Sequence, residues 1–268
     1  MKNPIRNVKI LFVFLAAEST LLFCLLIVFI SHTIAPPPQT LSALYAEPDL
    51  SESAWPAEKE PFRSNGWYNE REALFMRFSC GPVDLCCLGD SITQKFEWQD
   101  ALPGWQVANR GIGSDTTEGI RARLDSVKAL QPTVISLMAG INDLSTRNPE
   151  EVTTSYALLL DALAQELPDT TVIVNSVLPV SNSHPIDNQN VRSLNATIEA
   201  LCQDRGLLFL NLYDSFVGEN GCLKDNLTTD SVHLTPTGYA LWLSKLAPVL
   251  DNLSPKGSAP IPYFHKTA

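Results

Sequence analysis

The sequence predicts an α/β protein: a flavodoxin-like, doubly wound sheet of five parallel strands. Three observations point there. Five short apolar runs recur along the body of the chain, helix-length segments separate most of them, and Gly- and Asp-containing polar motifs follow the first three runs. Alternation of this kind gives right-handed βαβ units and a parallel sheet.

The first strand is read over residues 83–88, bounded by Gly81-Pro82 before it and Gly89 after it. It stops at Gly89-Asp90-Ser91. A second strand, 106–109, runs into the stretch NRGIGSDTTEGI, where Thr116 or Thr117 caps a helix over 118–130. The third strand, 133–138, ends at AGIND, and a helix follows over 149–167 with Pro149 at its first position. Strand four, 171–177, is stopped by Leu178-Pro179, and the next helix covers 188–204. Gly206 precedes strand five at 207–212, and a last helix is expected over 236–250. Ligands of doubly wound sheets sit beyond the carboxyl ends of the strands. The motifs at 89–91, 111–115 and 140–143 are therefore expected to converge on one crevice.

The front of the chain is different. Residues 10–30 are 21 nearly unbroken apolar residues, a helix of roughly 31 Å, enough for a bilayer core. Glu18 opposes insertion by about 3 kcal/mol, whereas the Leu, Ile, Val and Phe residues favour it by about 5 to 9 kcal/mol in total. Lys2, Arg6 and Lys9 precede the run, and no Lys or Arg follows until Lys59. This charge bias places the N-terminus in the cytoplasm and the body outside. The expectation is a single-pass membrane anchor with an extracytoplasmic body; the alternative is a cleaved signal peptide and a secreted protein. Pro36-Pro37-Pro38 and scattered acids mark residues 35–64 as an extended linker. The organisation read from the sequence is thus stub and anchor 1–34, linker 35–64, folded body 65–252 and tail 253–268.

The formal charge of −10 argues against nucleic acid as a partner. Of the six cysteines, Cys24 lies in the apolar run. Cys86 and Cys87 read as buried strand thiols, and a Cys202–Cys222 bridge is open to an oxidising compartment. No C-x-x-C pair exists and the four histidines are widely scattered, so neither a metal nor a cofactor is expected.

Ser91 has two readings: an ordinary cap after a strand, or a nucleophile exposed on a strand-to-helix turn. The pattern G-x-S-x-G is absent, because Thr93 stands where its second Gly would be. A hydrolytic serine needs a base, an acid to orient that base, and fixed donors for the oxyanion. Asp230-Ser231-Val232-His233 supplies the first two across one turn, although the same residues before Thr235-Pro236 also suit a helix entry. Candidate donors are the Ser91 backbone N–H, the Asn142 side chain, and the loop at Gly113-Ser114. A phosphate cradle at that loop is disfavoured by Asp115 and Glu118 and by the lack of G-x-G-x-x-G spacing.

Gly-Asp-Ser-Ile-Thr after a strand, Asn-Arg-Gly-Ile-Gly-Ser-Asp-Thr-Thr, Gly-Ile-Asn-Asp and Asp-x-x-His occur in this order over about residues 65–252. Together they resemble the four blocks of the SGNH (GDSL-type) hydrolases. The stretch LPGWQVANRGIGSDTT together with GIND is similar to the bacterial branch that resembles platelet-activating-factor acetylhydrolase subunits and carbohydrate O-acetylesterases. The resemblance implies the SGNH fold, Ser91 as nucleophile, His233 as general base and acid, and Asp230 as its orienter. Ser91, Asn142 and either Gly113 or Ser114 would form the oxyanion hole. Many relatives have Gly where this chain has Ser114. The implied activity is removal of acetyl or other short acyl groups from an alcohol, with a small-molecule or glycan ester as substrate. A lysophospholipase or thioesterase of longer-chain preference and a catalytically silent glycan-binding module are the alternatives. The alcohol pocket is expected near Trp98, Arg147 and residues 181–188.

Overall fold

The computed structural model describes residues 66–79 and 81–253. The apolar run at 10–30, the linker and the tail from 254 onward lie outside the described residues. Among the described residues no helix is long and apolar enough to cross a membrane.

A helix, α1 (Gly66–Arg77), precedes the sheet. Then come β1 (Leu85–Gly89), the short helices α2 (Ser91–Gln94) and α3 (Trp98–Ala101), and β2 (Val107–Gly111). The short helices α4 (Thr117–Ala122) and α5 (Asp125–Lys128) lead to β3 (Val134–Met138). The long helix α6 (Pro149–Glu166) leads to β4 (Thr171–Asn175), and α7 (Asn188–Arg205) to β5 (Leu208–Leu210). A single turn, α8 (Tyr213–Phe216), and the C-terminal α9 (Pro236–Leu253) complete it. All strands are parallel, in the order β2-β1-β3-β4-β5. This is the doubly wound order that the alternation predicts, with its switch point between β1 and β3.

Strands β1 and β3 are buried along their whole length, which is why they read as unbroken apolar runs rather than alternating ones. Helix α6 starts on a capping box: Asn148 Oδ1 accepts from Glu151 N–H and Glu151 Oε2 from Asn148 N–H, both at 3.0 Å. It buries Val152, Tyr156, Leu159, Leu160 and Leu163, one stripe at helical spacing. Helix α7 ends on Gly206 at φ +65°, the left-handed stop. Helix α9 contributes Tyr239, Trp242, Leu246 and Leu250 to the same core.

Three differences from the sequence reading have physical causes. The helix expected over 118–130 is broken between α4 and α5 at Arg123 (φ −115°, ψ 22°). There the chain turns the fully buried guanidinium inward onto Asp115 and the carbonyls of Gly89 and Arg110. Strand β4 leaves the ladder at Asn175 rather than 177, because the Asn195 side chain takes up both the N–H and the C=O of Val177 at 2.8 Å. Helix α1 carries no apolar stripe to announce it. It buries only Tyr68 and Phe75, and it docks through polar contacts and the Arg110 guanidinium 4.4 Å over the Phe75 ring.

Candidate active site

The carboxyl end of β1 delivers Ser91. Asp90 caps α2 by accepting the Ile92 N–H at 2.9 Å, so Ser91 opens that helix. This turn is crowded against the next strand. A Cβ on Gly111 would lie 2.3 Å from the Gln94 nitrogen and 2.8 Å from the Asp90 carbonyl. Only glycine lets the end of β2 come this close to the Ser91 turn.

His233 comes from the loop before α9. Its Nε2 lies 2.8 Å from Ser91 Oγ, across 142 residues of sequence. Its Nδ1 lies 2.6 Å from Asp230 Oδ2. The other oxygen, Asp230 Oδ1, accepts the backbone N–H of His233 at 2.8 Å and of Val232 at 3.3 Å. The three side chains expected to meet do so in a continuous chain of contacts. Burial works against the Asp230 charge, but the His233 backbone and ring bonds outweigh it and hold the carboxyl down at about 2.

Between Asp230 and His233, Ser231 has φ +83°, a left-handed conformation strained for a residue with a Cβ. Ser181 N–H donates to the Ser231 carbonyl at 3.0 Å, and the Ser183 and Ser231 hydroxyls lie 2.8 Å apart. The 181–186 loop thus borders the Asp-His turn. His184 in this loop is partly buried, which lowers its basicity against the opposing pull of Asp230.

The second motif forms a turn in which Asp115 N–H donates to the Ile112 carbonyl at 3.2 Å. Ser114 stands at φ +64°, where glycine would be unstrained. The Gly113 N–H is already engaged, donating to Gln94 Oε1 at 2.6 Å. Of the two donors left open by the sequence, Ser114 is the one with no such engagement among the described residues. Asn142 donates one Nδ2–H to the Asp115 carbonyl at 2.8 Å, which leaves its second amide hydrogen for another acceptor. Asp143, just beyond, is buried and accepts the N–H and hydroxyl of Thr117 and the Arg147 guanidinium. Burial raises the Asp143 and Asp115 carboxyls, and it pushes Asp90 up to about 7.

Trp98 does not line the rim. It is 1% exposed, packs edge-on against Phe96 and Trp242, and donates its indole N–H to the Thr93 carbonyl. Arg147 is committed to Asp143 and Glu118. Gln94 and Tyr68 join the site only through the fold. Gln94 had a readable signal, one helical turn after Ser91; Tyr68 had none. Cys86, Cys87, Cys202 and Cys222 are free thiols, so the Cys202–Cys222 bridge is not formed.

The parallel sheet, with these side chains gathered at its carboxyl edge, defines a class, the doubly wound α/β proteins that carry their site beyond the strand ends. The GDSL-like lipase/acylhydrolase family matches residues 87–241, more than half of the chain. The chain belongs to that family. A GDSL-like lipase from Bacteroides thetaiotaomicron is 27% identical, with a TM-score of 0.55, covering 63% of this chain and 88% of its own. A protein from Streptococcus pneumonia described as a platelet activating factor is 23% identical, with a TM-score of 0.61, covering 70% of this chain and 91% of its own. An acetyl xylan esterase, AlAXEase, is 18% identical, with a TM-score of 0.54, covering 64% of this chain and 100% of its own. Comparison with curated proteins gives no match.

Proposed function

We propose that Ser91, His233 and Asp230 carry a serine-esterase reaction that removes acetyl or another short acyl group from an alcohol, with a carbohydrate ester as the preferred substrate class. The observation that carries this reading is the 2.8 Å contact of His233 Nε2 with Ser91 Oγ, backed by Asp230 at 2.6 Å on the other ring nitrogen. Neutral His233 takes the Ser91 proton on Nε2 as Oγ attacks the ester carbonyl. Asp230 keeps the second ring proton on Nδ1 and stabilises the imidazolium that forms. The charge on the former carbonyl oxygen falls to the Ser91 N–H, the open amide hydrogen of Asn142 and the Ser114 N–H. When the tetrahedral species collapses, the alcohol leaves with the proton from His233, and the acyl group stays on Oγ. Water then attacks the acyl-enzyme with His233 again as base, releasing the acid and restoring the Ser91 hydroxyl.

The short-acyl, carbohydrate side of the proposal is supported by the resemblance of the second and third motifs to O-acetylesterases, and by a fold like that of an acetyl xylan esterase. The apolar run at 10–30 supports a second reading in which the enzyme sits tethered at the outer face of a membrane and takes lipid esters of longer chain. A series of aryl esters of increasing acyl length separates the two. A maximum at two to four carbons, with release of acetate from acetylated sugars, is the result expected. A maximum at about eight carbons or beyond, with turnover of lysophospholipid, would replace the first reading by the second.

A further inference from the structure

Among the described residues, an ion pair that the mechanism leaves unused is buried on both sides. Asp115 Oδ2 and Arg123 Nε are 2.7 Å apart, and both side chains are wholly inaccessible. A pair this deep is retained at a desolvation cost, so what else it holds is informative. Arg123 Nη2 donates to the carbonyls of Gly89 at 3.1 Å and Arg110 at 2.8 Å, the ends of β1 and β2. The Asp115 backbone carbonyl accepts the Asn142 side chain at 2.8 Å, and its own N–H closes the turn that carries Ser114. Its remaining carboxylate oxygen, Oδ1, accepts the Thr116 N–H at 2.9 Å and the Tyr68 hydroxyl at 3.1 Å. Gly119 makes room for this. A Cβ there would fall 2.0 Å from Asp115 Oδ1 and 3.2 Å from the Tyr68 hydroxyl. On the other side of the same turn, Arg71 Nε of α1 donates to the Gly111 carbonyl at 2.7 Å.

We propose that Tyr68 and Arg123 are positioning residues that act through Asp115. Together they fix Asn142 and the Ser114 turn relative to the end of β1, and so hold the oxyanion donors at their working distance from Ser91. Helix α1 is then part of the catalytic apparatus rather than an ornament before the first strand. The inference rests on the proposed roles of Ser91, Asn142 and Ser114. Arg123 holds Asp115 through Nε while its Nη2 reaches the termini of two strands, and a lysine, with one nitrogen on a flexible stem, cannot reproduce that fork. Tyr68 donates a hydrogen bond to Asp115 Oδ1, and Tyr68→Phe deletes that bond with little change of shape.

The test measures kcat and KM for an aryl acetate on the full chain carrying Tyr68→Phe or Arg123→Lys, each alone and each combined with Asn142→Ala, with thermal melts to confirm folding. Tyr68→Phe is expected to lower kcat about 3- to 10-fold with KM nearly unchanged. Arg123→Lys is expected to lower it on the order of 100-fold. In the Asn142→Ala background each deficit shrinks to about half or less on a logarithmic scale, because part of what was being positioned is gone. Equal deficits in both backgrounds would mark a merely structural role and overturn the inference, as would a folded Tyr68→Phe enzyme with the parental kcat. Should Arg123→Lys not fold, Tyr68→Phe alone decides. Failure of the underlying reading looks different: Ser91→Ala would then retain turnover, whatever the positioning variants do.

Discussion

Replacing Asp230 by asparagine tests how the proposed base, His233, is set. The substitution keeps size and shape, so its effect falls on hydrogen-bond direction. Asp230 Oδ1 already accepts two backbone N–H groups, from His233 at 2.8 Å and Val232 at 3.3 Å, while Oδ2 faces His233 Nδ1 at 2.6 Å. In Asp230→Asn the amide oxygen stays on the two backbone donors, and the NH₂ must face the ring. Nδ1 then becomes the acceptor, and the ring proton moves to Nε2, the atom 2.8 Å from Ser91 Oγ. A protonated Nε2 cannot take the serine proton. A wrong tautomer of this kind costs on the order of 10³- to 10⁴-fold in kcat. Loss of charge alone gives a smaller figure. The whole shift from 3.8 to about 2, to which the backbone bonds contribute as well as the ring, bounds it at about 2 kcal/mol before screening, and Asp230 is 47% exposed, so solvent leaves roughly half of that. The two accounts therefore separate. The assay is kcat on aryl acetate, with a melt to show that the variant folds. A folded Asp230→Asn enzyme within about tenfold of the parent would refute the tautomer argument, since loss of the charge alone explains a loss of that size.

Asn142→Ala is expected to lower kcat about 10²- to 10³-fold with KM little changed, as for other side-chain oxyanion donors, which steady-state kinetics reads directly. Ser114→Gly removes a Cβ from a left-handed position at φ +64°. It should leave the protein as stable as the parent or up to about 1 kcal/mol more stable in urea unfolding, and a clear loss would contradict the turn described. Asp90 is fully buried, its Oδ2 has no hydrogen-bond partner, and burial raises the carboxyl from 3.8 to about 7. The folded protein therefore keeps a proton that the unfolded chain has lost, and this group withdraws stability as pH rises from about 4 through 7, by roughly 4 kcal/mol at the upper end. Asp90→Asn, which can still cap α2, should match the parent near pH 4 and gain on it steadily up to pH 7; a constant difference across that range would show that Asp90 does not titrate there.

The sheet was legible because a parallel sheet buried on both faces must be written as apolar runs, and 133–138 against the observed Val134–Met138 shows how closely such a run marks its strand. Helices with caps were equally plain: Pro149 and Gly206 bound α6 and α7 where the sequence put them. Elements held by side-chain geometry were not. Helix α1 docks through Tyr68 and Arg71, and nothing local says that a tyrosine will reach residue 115. The break at Arg123 comes from a guanidinium drawn under the sheet edge, a tertiary demand that overrides the periodicity of 118–130. The same holds around Ser91. The residue types at 91, 230 and 233 showed themselves through spacing and chemistry, whereas Gln94 on the Gly113 N–H, the strained Ser231 and the burial of Trp98 depend on how loops fold against one another.

The most direct measurement is the site of covalent capture. Brief treatment of the full chain with a fluorophosphonate, followed by digestion and mass spectrometry, should yield one phosphonylated peptide with the adduct on Ser91, lost in Ser91→Ala and slowed strongly in His233→Ala. Rapid labelling that survives Ser91→Ala, or no labelling of a preparation that hydrolyses aryl acetate, would contradict a serine nucleophile at the end of β1.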